Sequence, residues 1–103
     1  MTKSAVWSTV AKRNIAQIKQ FYDDRNKNSN YSKKLRLVFK NAAHVIEMQP
    51  EIGTRTNIER IKGFIILNYI IFYEILEDHI LILMVWDSRK DPSQIEEILK
   101  SAI

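Results

Sequence analysis

Two apolar runs in the second half of the chain, joined by a short polar break, constrain the fold more than any other feature. The first run ends at Ile75, the break covers residues 76–79, and the second run begins at Ile80. Both runs are rich in isoleucine and aromatic residues, which favour β-strands, and a short polar break is typical of antiparallel neighbours. We therefore predict a hairpin whose strands are apolar on both faces, so that both faces of the sheet must be covered.

The complete sheet is predicted to contain three or four strands. Three of them lie near residues 59–66, 67–75 and 80–87, the last two forming the hairpin. A short apolar segment at residues 3–7 is a weaker candidate for a fourth strand. Because consecutive strands joined by short connections usually pair side by side, the sheet is expected to be mainly antiparallel.

Two helices are predicted before the sheet, from about residue 9 to 24 and from about 31 to 48. Ser8 can cap the first helix because its hydroxyl can accept a free backbone N–H of the first turn. Pro50 disfavours helical backbone at the preceding residue and ends the second helix there. The second helix carries the clearest apolar stripe in the sequence, formed by Leu35, Val38, Phe39, Ala42, Val45 and Ile46.

A short third helix is predicted after Asp91 and Pro92, because aspartate can cap a helix and proline suits its first position. Ile95, Ile98 and Leu99 give it one apolar face, which could pack on the sheet or meet a partner. The resulting fold class is α+β, with an N-terminal helical hairpin on one face of the sheet and a short C-terminal helix. Residues 1–103 are interpreted as a single domain.

Positive charge is concentrated in the first part of the chain. Residues 1–40 carry a net charge of +8, whereas residues 41–103 carry −4. This asymmetry favours an acidic partner such as nucleic acid, the ribosome or an acidic protein. The alternative is a solvated helix surface, because charge alone specifies no partner.

Several classes of site and location are disfavoured by composition. The chain has no cysteine, which excludes a disulfide framework and a thiolate metal site. Its only glycines are Gly53 and Gly63, so no glycine-rich phosphate loop supports a nucleotide cofactor. His44 and His79 do not have the spacing of a metal site and are interpreted as surface residues. With no secretory signal and no apolar run near 20 residues, we expect a cytoplasmic protein that does not span a membrane.

The order of several segments resembles that of a known superfamily. The most specific segment is Trp-Asp-Ser-Arg-Lys-Asp-Pro, which runs from Trp86 to Pro92. The ordered set resembles the RelE/ParE superfamily of bacterial toxins, in particular the plasmid-stabilisation type. The other matching segments are Val6-Trp7-Ser8, Lys33-Lys34-Leu35, Gln49-Pro50-Glu51-Ile52-Gly53 with Thr56, and Tyr69 to Ile75.

The resemblance implies the toxin half of a type II toxin–antitoxin pair, which arrests bacterial growth until a cognate antitoxin protein binds it. Members of this superfamily use two different mechanisms. ParE-like toxins poison DNA gyrase, whereas RelE-like toxins cut messenger RNA in the ribosome. RelE-like members supply basic residues from the central strands, an arginine after the last strand and often a following tyrosine or histidine.

Arg60, Lys62 and Arg89 are the candidate catalytic residues if the chain is a RelE-like endonuclease. However, Ile70 stands where RelE-like members usually have an arginine, and residues 90–103 contain no tyrosine or histidine. The incomplete set favours gyrase inhibition, with the ribosome-dependent endonuclease and a toxin that has lost its activity as alternatives. Arg89 also has a structural interpretation, in which it forms an ion pair within the strand-to-helix turn.

Overall fold

The computed structural model describes residues 2–102 and shows a five-stranded mixed sheet with helices on both faces. The strands, in the spatial order β1-β5-β4-β3-β2, are β1 (Ala5–Trp7), β2 (Thr54–Arg55), β3 (Ile61–Ile66), β4 (Tyr69–Ile75) and β5 (Ile80–Asp87). The helices are α1 (Thr9–Asn26), α2 (Asn30–Met48) and α3 (Ile95–Ala102), with single 3-10 turns at Pro50–Ile52 and Pro92–Gln94. This architecture confirms the predicted α+β class.

The weaker candidate for a fourth strand is confirmed as β1, and the sheet has one strand more than the four predicted because β2 was missed. β1 pairs in parallel with β5, so that Ala5 lies opposite Ile80. β2 has only two residues, which pair with β3 and are too few to produce a recognisable pattern. The strand predicted near 67–75 begins at Tyr69, because the two residues before it form the β3–β4 turn, with Leu67 at a positive φ of 55°.

A β-bulge in β5 distributes its apolar residues between the two faces of the sheet. Phe72 of β4 lies opposite Met84, but Tyr73 lies opposite Ile82, so Leu83 is the extra residue. Leu83 and Met84 therefore both pack in the cluster beneath α3. A strictly alternating strand would have placed one of them on the helical-hairpin face.

The helical hairpin covers the other face through the stripe of α2. Leu35, Phe39, Ala42 and Ile46 are buried as predicted, and the ring of Phe39 meets the ring of Tyr69 edge-on at 5.2 Å. The stripe is narrower than predicted, because Val38 is only half-buried and Val45 is exposed.

α3 packs on the sheet, so both faces are covered as the double-sided apolar strands require. Leu99 is buried in the cluster that contains Phe72 and Trp86. The side chain of Asp91 accepts a hydrogen bond from the backbone N–H of Ser93 at 3.0 Å, which confirms its predicted capping position. The first turn after this cap is 3-10 rather than α.

Ser8 connects α1 to β5 as well as capping the helix. Its hydroxyl oxygen accepts a hydrogen bond from the N–H of Ala11 at 3.0 Å, as predicted. The same hydroxyl donates to the carbonyl of Leu83 at 2.8 Å, and the N–H of Ser8 donates to the carbonyl of Ile82 at 2.9 Å. The start of α1 is therefore attached directly to the edge of β5.

Asn14 continues this attachment nearly two helical turns further along. β1 ends at Trp7, while β5 runs on to Asp87, so the edge of β5 extends beyond its partner strand. The side-chain oxygen of Asn14 accepts a hydrogen bond from the N–H of Val85 at 3.0 Å. A side chain of α1 thus replaces the missing strand, because a buried backbone N–H needs a partner.

Replacing Phe39 with alanine tests the packing of α2 on the sheet. Because Phe39 is buried against the sheet, we expect the substitution to lower the free energy of unfolding by about 3–5 kcal/mol. Leu37→Ala is the matched control, since Leu37 lies on the same helix but is 60% exposed; it should change stability by less than about 0.5 kcal/mol. Equal denaturant midpoints for wild type and Phe39→Ala would contradict this packing.

Candidate functional site

The three predicted cations lie at two opposite ends of the sheet. Lys62 lies opposite Tyr73 of β4, whereas Asp87, two residues before Arg89, lies opposite Tyr69. Tyr69 and Tyr73 are four residues apart, which corresponds to about 13 Å along β4. Because β4 lies between β3 and β5, Lys62 and Asp87 are also separated by two strand spacings, about 10 Å across the sheet. The structure therefore does not bring Arg89 together with Lys62 or with Arg60, which immediately precedes β3.

Arg60 is an exposed residue in the turn before β3. Its backbone has a positive φ of 73°, a conformation that non-glycine residues adopt uncommonly. Its Nε lies 3.7 Å from Oε2 of Glu74. Because neighbouring residues of a strand point to opposite faces, Glu74 is on the α3 face, whereas Tyr73 is in the core under the helical hairpin.

Lys62 is paired with a carboxylate of the 3-10 turn that follows α2. Its Nζ lies 3.0 Å from Oε2 of Glu51, in the 3-10 turn after α2. Buried Tyr73 holds this turn: its hydroxyl donates to the carbonyl of Pro50 at 2.7 Å and accepts from the N–H of Gly53 at 2.9 Å. A Cβ on Gly53 would lie 2.7 Å from that hydroxyl oxygen, so this close approach requires glycine.

Arg89 forms the ion pair that its structural interpretation predicted, with Asp87 as the partner. Its Nε and Nη2 donate to the two carboxylate oxygens of Asp87 at 3.0 and 2.7 Å, and its backbone N–H donates to the same carboxylate at 2.9 Å. The hydrogen bond from the guanidinium lowers the pKa of Asp87 to about 2. The pair fixes the turn at the end of β5.

Tyr22 of α1 joins this pair, a contact that sequence reasoning missed. Nη2 of Arg89 lies 3.4 Å from the Tyr22 hydroxyl. The hydrogen bonds from Arg89 and then Tyr69 lower the pKa of Tyr22, whereas burial is the main cause of the raised pKa of Tyr69. Tyr22 follows the helical apolar spacing of α1, which gave no signal of a partner 67 residues away.

The two turns at this end of the sheet are fastened to each other. The backbone N–H and the hydroxyl of Ser88 both donate to the carbonyl of Asn68 at 2.8 Å. Nδ2 of Asn68 lies 3.5 Å from Asp87 Oδ1. The β3–β4 turn is therefore held against the segment that carries Arg89.

Tyr69 and Tyr73 are buried, so they are core residues rather than platforms for base stacking. Ile70, which occupies the position of the usual RelE-like arginine, is half-buried and packs in the cluster beneath α3. Neither tyrosine ring presents a face to solvent.

An open groove of about 1060 Å³ runs between α1, α2 and β1. Its apolar lining includes Trp7, Ile15, Ile18, Leu35 and Phe39, and its basic lining consists of Lys12, Lys19, Lys33, Arg36 and Lys40. Half of the basic residues in the first forty positions are thus arranged along one groove. The sequence predicted the excess of charge but not the groove, which requires the crossing of the two helices.

The histidines do not form a reactive cluster. His44 is exposed, with its Nδ1 3.5 Å from Glu47 Oε1, and the half-buried His79 has its Nδ1 2.7 Å from Asp78 Oδ1. Within residues 2–102, no three histidine, aspartate or glutamate side chains are arranged to hold a metal ion. In the same part of the chain, no helix combines the length and the apolar character needed to cross a bilayer.

Comparison with known proteins identifies one family. The sequence model described as the ParE toxin of the type II toxin–antitoxin system parDE matches residues 5–92. The matched span contains all five strands and both long helices, and it ends at Pro92, the first residue of the 3-10 turn before α3. No curated protein matches the chain closely enough to count as a relative.

The Asp87–Arg89 pair predicts a pH-dependent contribution to stability. Because the pKa of Asp87 is about 2 in the folded chain and 3.8 without these contacts, the contribution is complete above about pH 5 and is lost as pH falls towards 2. We therefore expect Arg89→Ala to destabilise the protein at pH 6 and to have progressively less effect between pH 5 and 2. Denaturant unfolding of the wild type and the variant at each pH measures this change in the free energy of unfolding.

Lys90→Ala is the matched control, since Lys90 is exposed and forms no ion pair with any residue that the structure describes. Its effect on stability should be small at every pH. An Arg89→Ala effect of equal size at pH 6 and pH 2 would contradict the assigned pairing.

Proposed function

The chain belongs to the ParE toxin family of type II toxin–antitoxin systems, and we propose that it arrests bacterial growth by inhibiting DNA gyrase. The observation that carries this proposal over messenger RNA cleavage is the separation of Arg89 from Arg60 and Lys62. A nuclease of the RelE type needs its cations around one phosphate, whereas an inhibitor that acts by binding does not.

The chemistry of RNA cleavage explains why this separation supports the proposal. Attack by the 2′-OH requires a base, an acid and positive charge on a single phosphorane. Here each candidate cation faces a carboxylate instead: Arg60 faces Glu74, Lys62 faces Glu51, and Arg89 is paired with Asp87. The strand geometry supports binding because the backbones that carry Lys62 and Arg89 are separated by about 13 Å along the sheet and about 10 Å across it, and each side chain is paired at its own end.

The contact between Tyr22 and Arg89 favours the endonuclease as a second candidate. A tyrosine hydroxyl with a lowered pKa, next to a guanidinium, is one arrangement that could transfer a proton near a phosphate. In that case Arg89 and Tyr22 would be the essential residues, while Arg60 and Lys62 would not take part.

Two assays with the purified protein separate the candidates. We expect gyrase to be trapped with cleaved DNA, and messenger RNA in a translating extract to stay intact. Because Arg60 and Lys62 lie at the other end of the sheet from Arg89, alanine at either of these two residues should reduce gyrase inhibition only mildly. Messenger cuts that disappear in Arg89→Ala would instead establish an endonuclease, for which loss of one charge-stabilising donor typically costs about 10²–10³ in rate.

The groove between α1 and α2 supports a specific mode of antitoxin binding. Its apolar floor suits the apolar face of an amphipathic helix, a common mode of peptide recognition. Four basic residues on its rim, Lys12, Lys33, Arg36 and Lys40, form no ion pair with any side chain in residues 2–102. An antitoxin helix with carboxylates beside its apolar face complements both features.

Reversing rim charges tests this mode of binding. Lys33→Glu with Lys40→Glu should weaken the antitoxin complex by about tenfold or more at low salt, because two favourable charge contacts become repulsive. Arg13→Glu with Lys34→Glu is the matched control, with the same net charge at exposed positions outside the groove lining. Calorimetric titration with the antitoxin, the product of the neighbouring gene, measures the affinity of each double variant. Equal weakening by the two variants would contradict the groove as the binding site.

A further inference from the structure

We propose that the toxin binds its protein target through a second surface, at the end of the sheet that carries Arg89. This sheet-end surface consists of Phe21, Tyr22, Tyr31, Leu67 and Arg89. Its partner is a protein surface with apolar side chains at the centre and carboxylates around them. The inference rests on the proposed function, because it assumes that the toxin acts by binding a protein.

Three large apolar side chains are exposed on this surface although they belong to separate segments. Phe21 near the end of α1 is 54% exposed, Tyr31 at the start of α2 is 38% exposed, and Leu67 in the β3–β4 turn is 59% exposed. Apolar groups exposed together on a soluble domain mark interaction sites more often than isolated ones do. Packing alone would not require all three segments to present such residues at one end of the molecule.

Tyr22 holds the aromatic part of the surface in place. Its ring meets Phe21 at a centroid distance of 5.0 Å and Tyr31 at 4.7 Å, both edge-on. Its hydroxyl is fixed by the guanidinium of Arg89, which is itself clamped by Asp87. Aromatic rings held in this way lose little conformational freedom on binding, and tyrosine and arginine are enriched among residues that dominate interface energies.

The same contacts connect Leu67 to the aromatic group. Its neighbour Asn68 accepts two hydrogen bonds from Ser88 and lies beside Asp87. The β3–β4 turn therefore keeps a fixed position relative to Arg89. A rigid surface built from two turns and two helix ends suits a preformed interface.

The charges around the surface indicate the character of the partner. Arg25, Lys27 and Lys90 are exposed and form no ion pair with the residues that the structure describes. Asp87 is already engaged by Arg89, and Asp91 caps the turn before α3. Asp24 is also exposed, and from the described residues it accepts only a hydrogen bond from Gln20 at 3.5 Å. Three unpaired cations thus outnumber one unpaired carboxylate, and the excess positive charge complements carboxylates on a target.

A protein explains the surface better than a single-stranded nucleic acid does. Single strands bind where bases stack on open aromatic faces along a continuous cationic groove. Here the rings contact one another edge-on, with interplanar angles of 87° and 67°, and the guanidinium of Arg89 is paired with a carboxylate. Aromatic residues and arginine are enriched at protein interfaces, and edge-on contacts such as these leave few open ring faces for bases.

The sheet-end surface is separate from the antitoxin groove, although the two are adjacent. Phe21, Tyr22 and Tyr31 do not line the groove, but Ser29 and Ser32 on either side of Tyr31 do. A bound antitoxin would therefore obstruct a large target sterically without covering the surface itself. This separation allows toxicity and antitoxin binding to be disrupted independently.

The test is a pair of separation-of-function variants expressed in a bacterium. Phe21→Gln with Leu67→Asn removes two exposed apolar groups, using a good helix former and a residue that tolerates positive φ. We expect target binding to weaken at least about a hundredfold, so that induction no longer arrests growth. Co-purification with the antitoxin and the thermal unfolding midpoint should match those of the wild type.

Met48→Gln with Ile52→Gln is the matched control, because both residues are exposed and apolar but lie in α2 and the 3-10 turn after it. This control should arrest growth as strongly as the wild type. If the first variant fails to fold, Arg25→Glu with Lys90→Glu provides a second test, because it changes only exposed charges. We expect this variant to need about ten times more inducer than the wild type to arrest growth.

Each outcome of the test has a distinct meaning. Growth arrest by the folded Phe21/Leu67 variant at the wild-type inducer level would overturn the sheet-end surface while leaving the toxin assignment intact. Loss of arrest together with loss of binding to a single-stranded RNA oligonucleotide that the wild type binds would overturn a protein target. Failure of the wild type itself to arrest growth would overturn the proposed function and, with it, this inference.

Discussion

The structure depends on β5, the strand that pairs with β1 and β4 and packs against helices on both faces of the sheet. β1 pairs with it in parallel on one side and β4 pairs with it antiparallel on the other. Its side chains are buried under the helical hairpin on one face and under α3 on the other. Ser8 and Asn14 satisfy its backbone beyond β1, so the first helix is positioned by hydrogen bonds as well as by packing.

The antiparallel neighbours of β5 determine what the charged residues can do. A chain that passes up β3, down β4 and up β5 places the start of β3 and the end of β5 at opposite ends of the sheet. Lys62 therefore contributes to a structural turn with Glu51, while Arg89 organises a cluster with Asp87 and Tyr22. The first end is closed by ion pairing, and the second presents exposed aromatic and aliphatic groups.

Local patterns predicted the elements well, because helices and strands reflect periodicities that are present in the sequence. The two long helices, the three main strands, the Ser8 cap and the burial of Phe39 are all confirmed. The bulge at Leu83, the two-residue strand β2 and the position of Tyr22 beside Arg89 were not predictable. Each depends on register or on a contact between residues distant in sequence, which local spacing does not encode.

The central claim, that the candidate cations do not share one site, can be measured as a distance. The chain has no cysteine, so Lys62→Cys and Arg89→Cys can be spin-labelled selectively. Double electron–electron resonance measures the longer label-to-label distances, and continuous-wave dipolar broadening measures the shorter ones. The strand geometry predicts a single population of label-to-label distances, centred at about 15 Å or more. A population centred below about 10 Å, a separation at which both residues could contact one phosphate, would contradict the account.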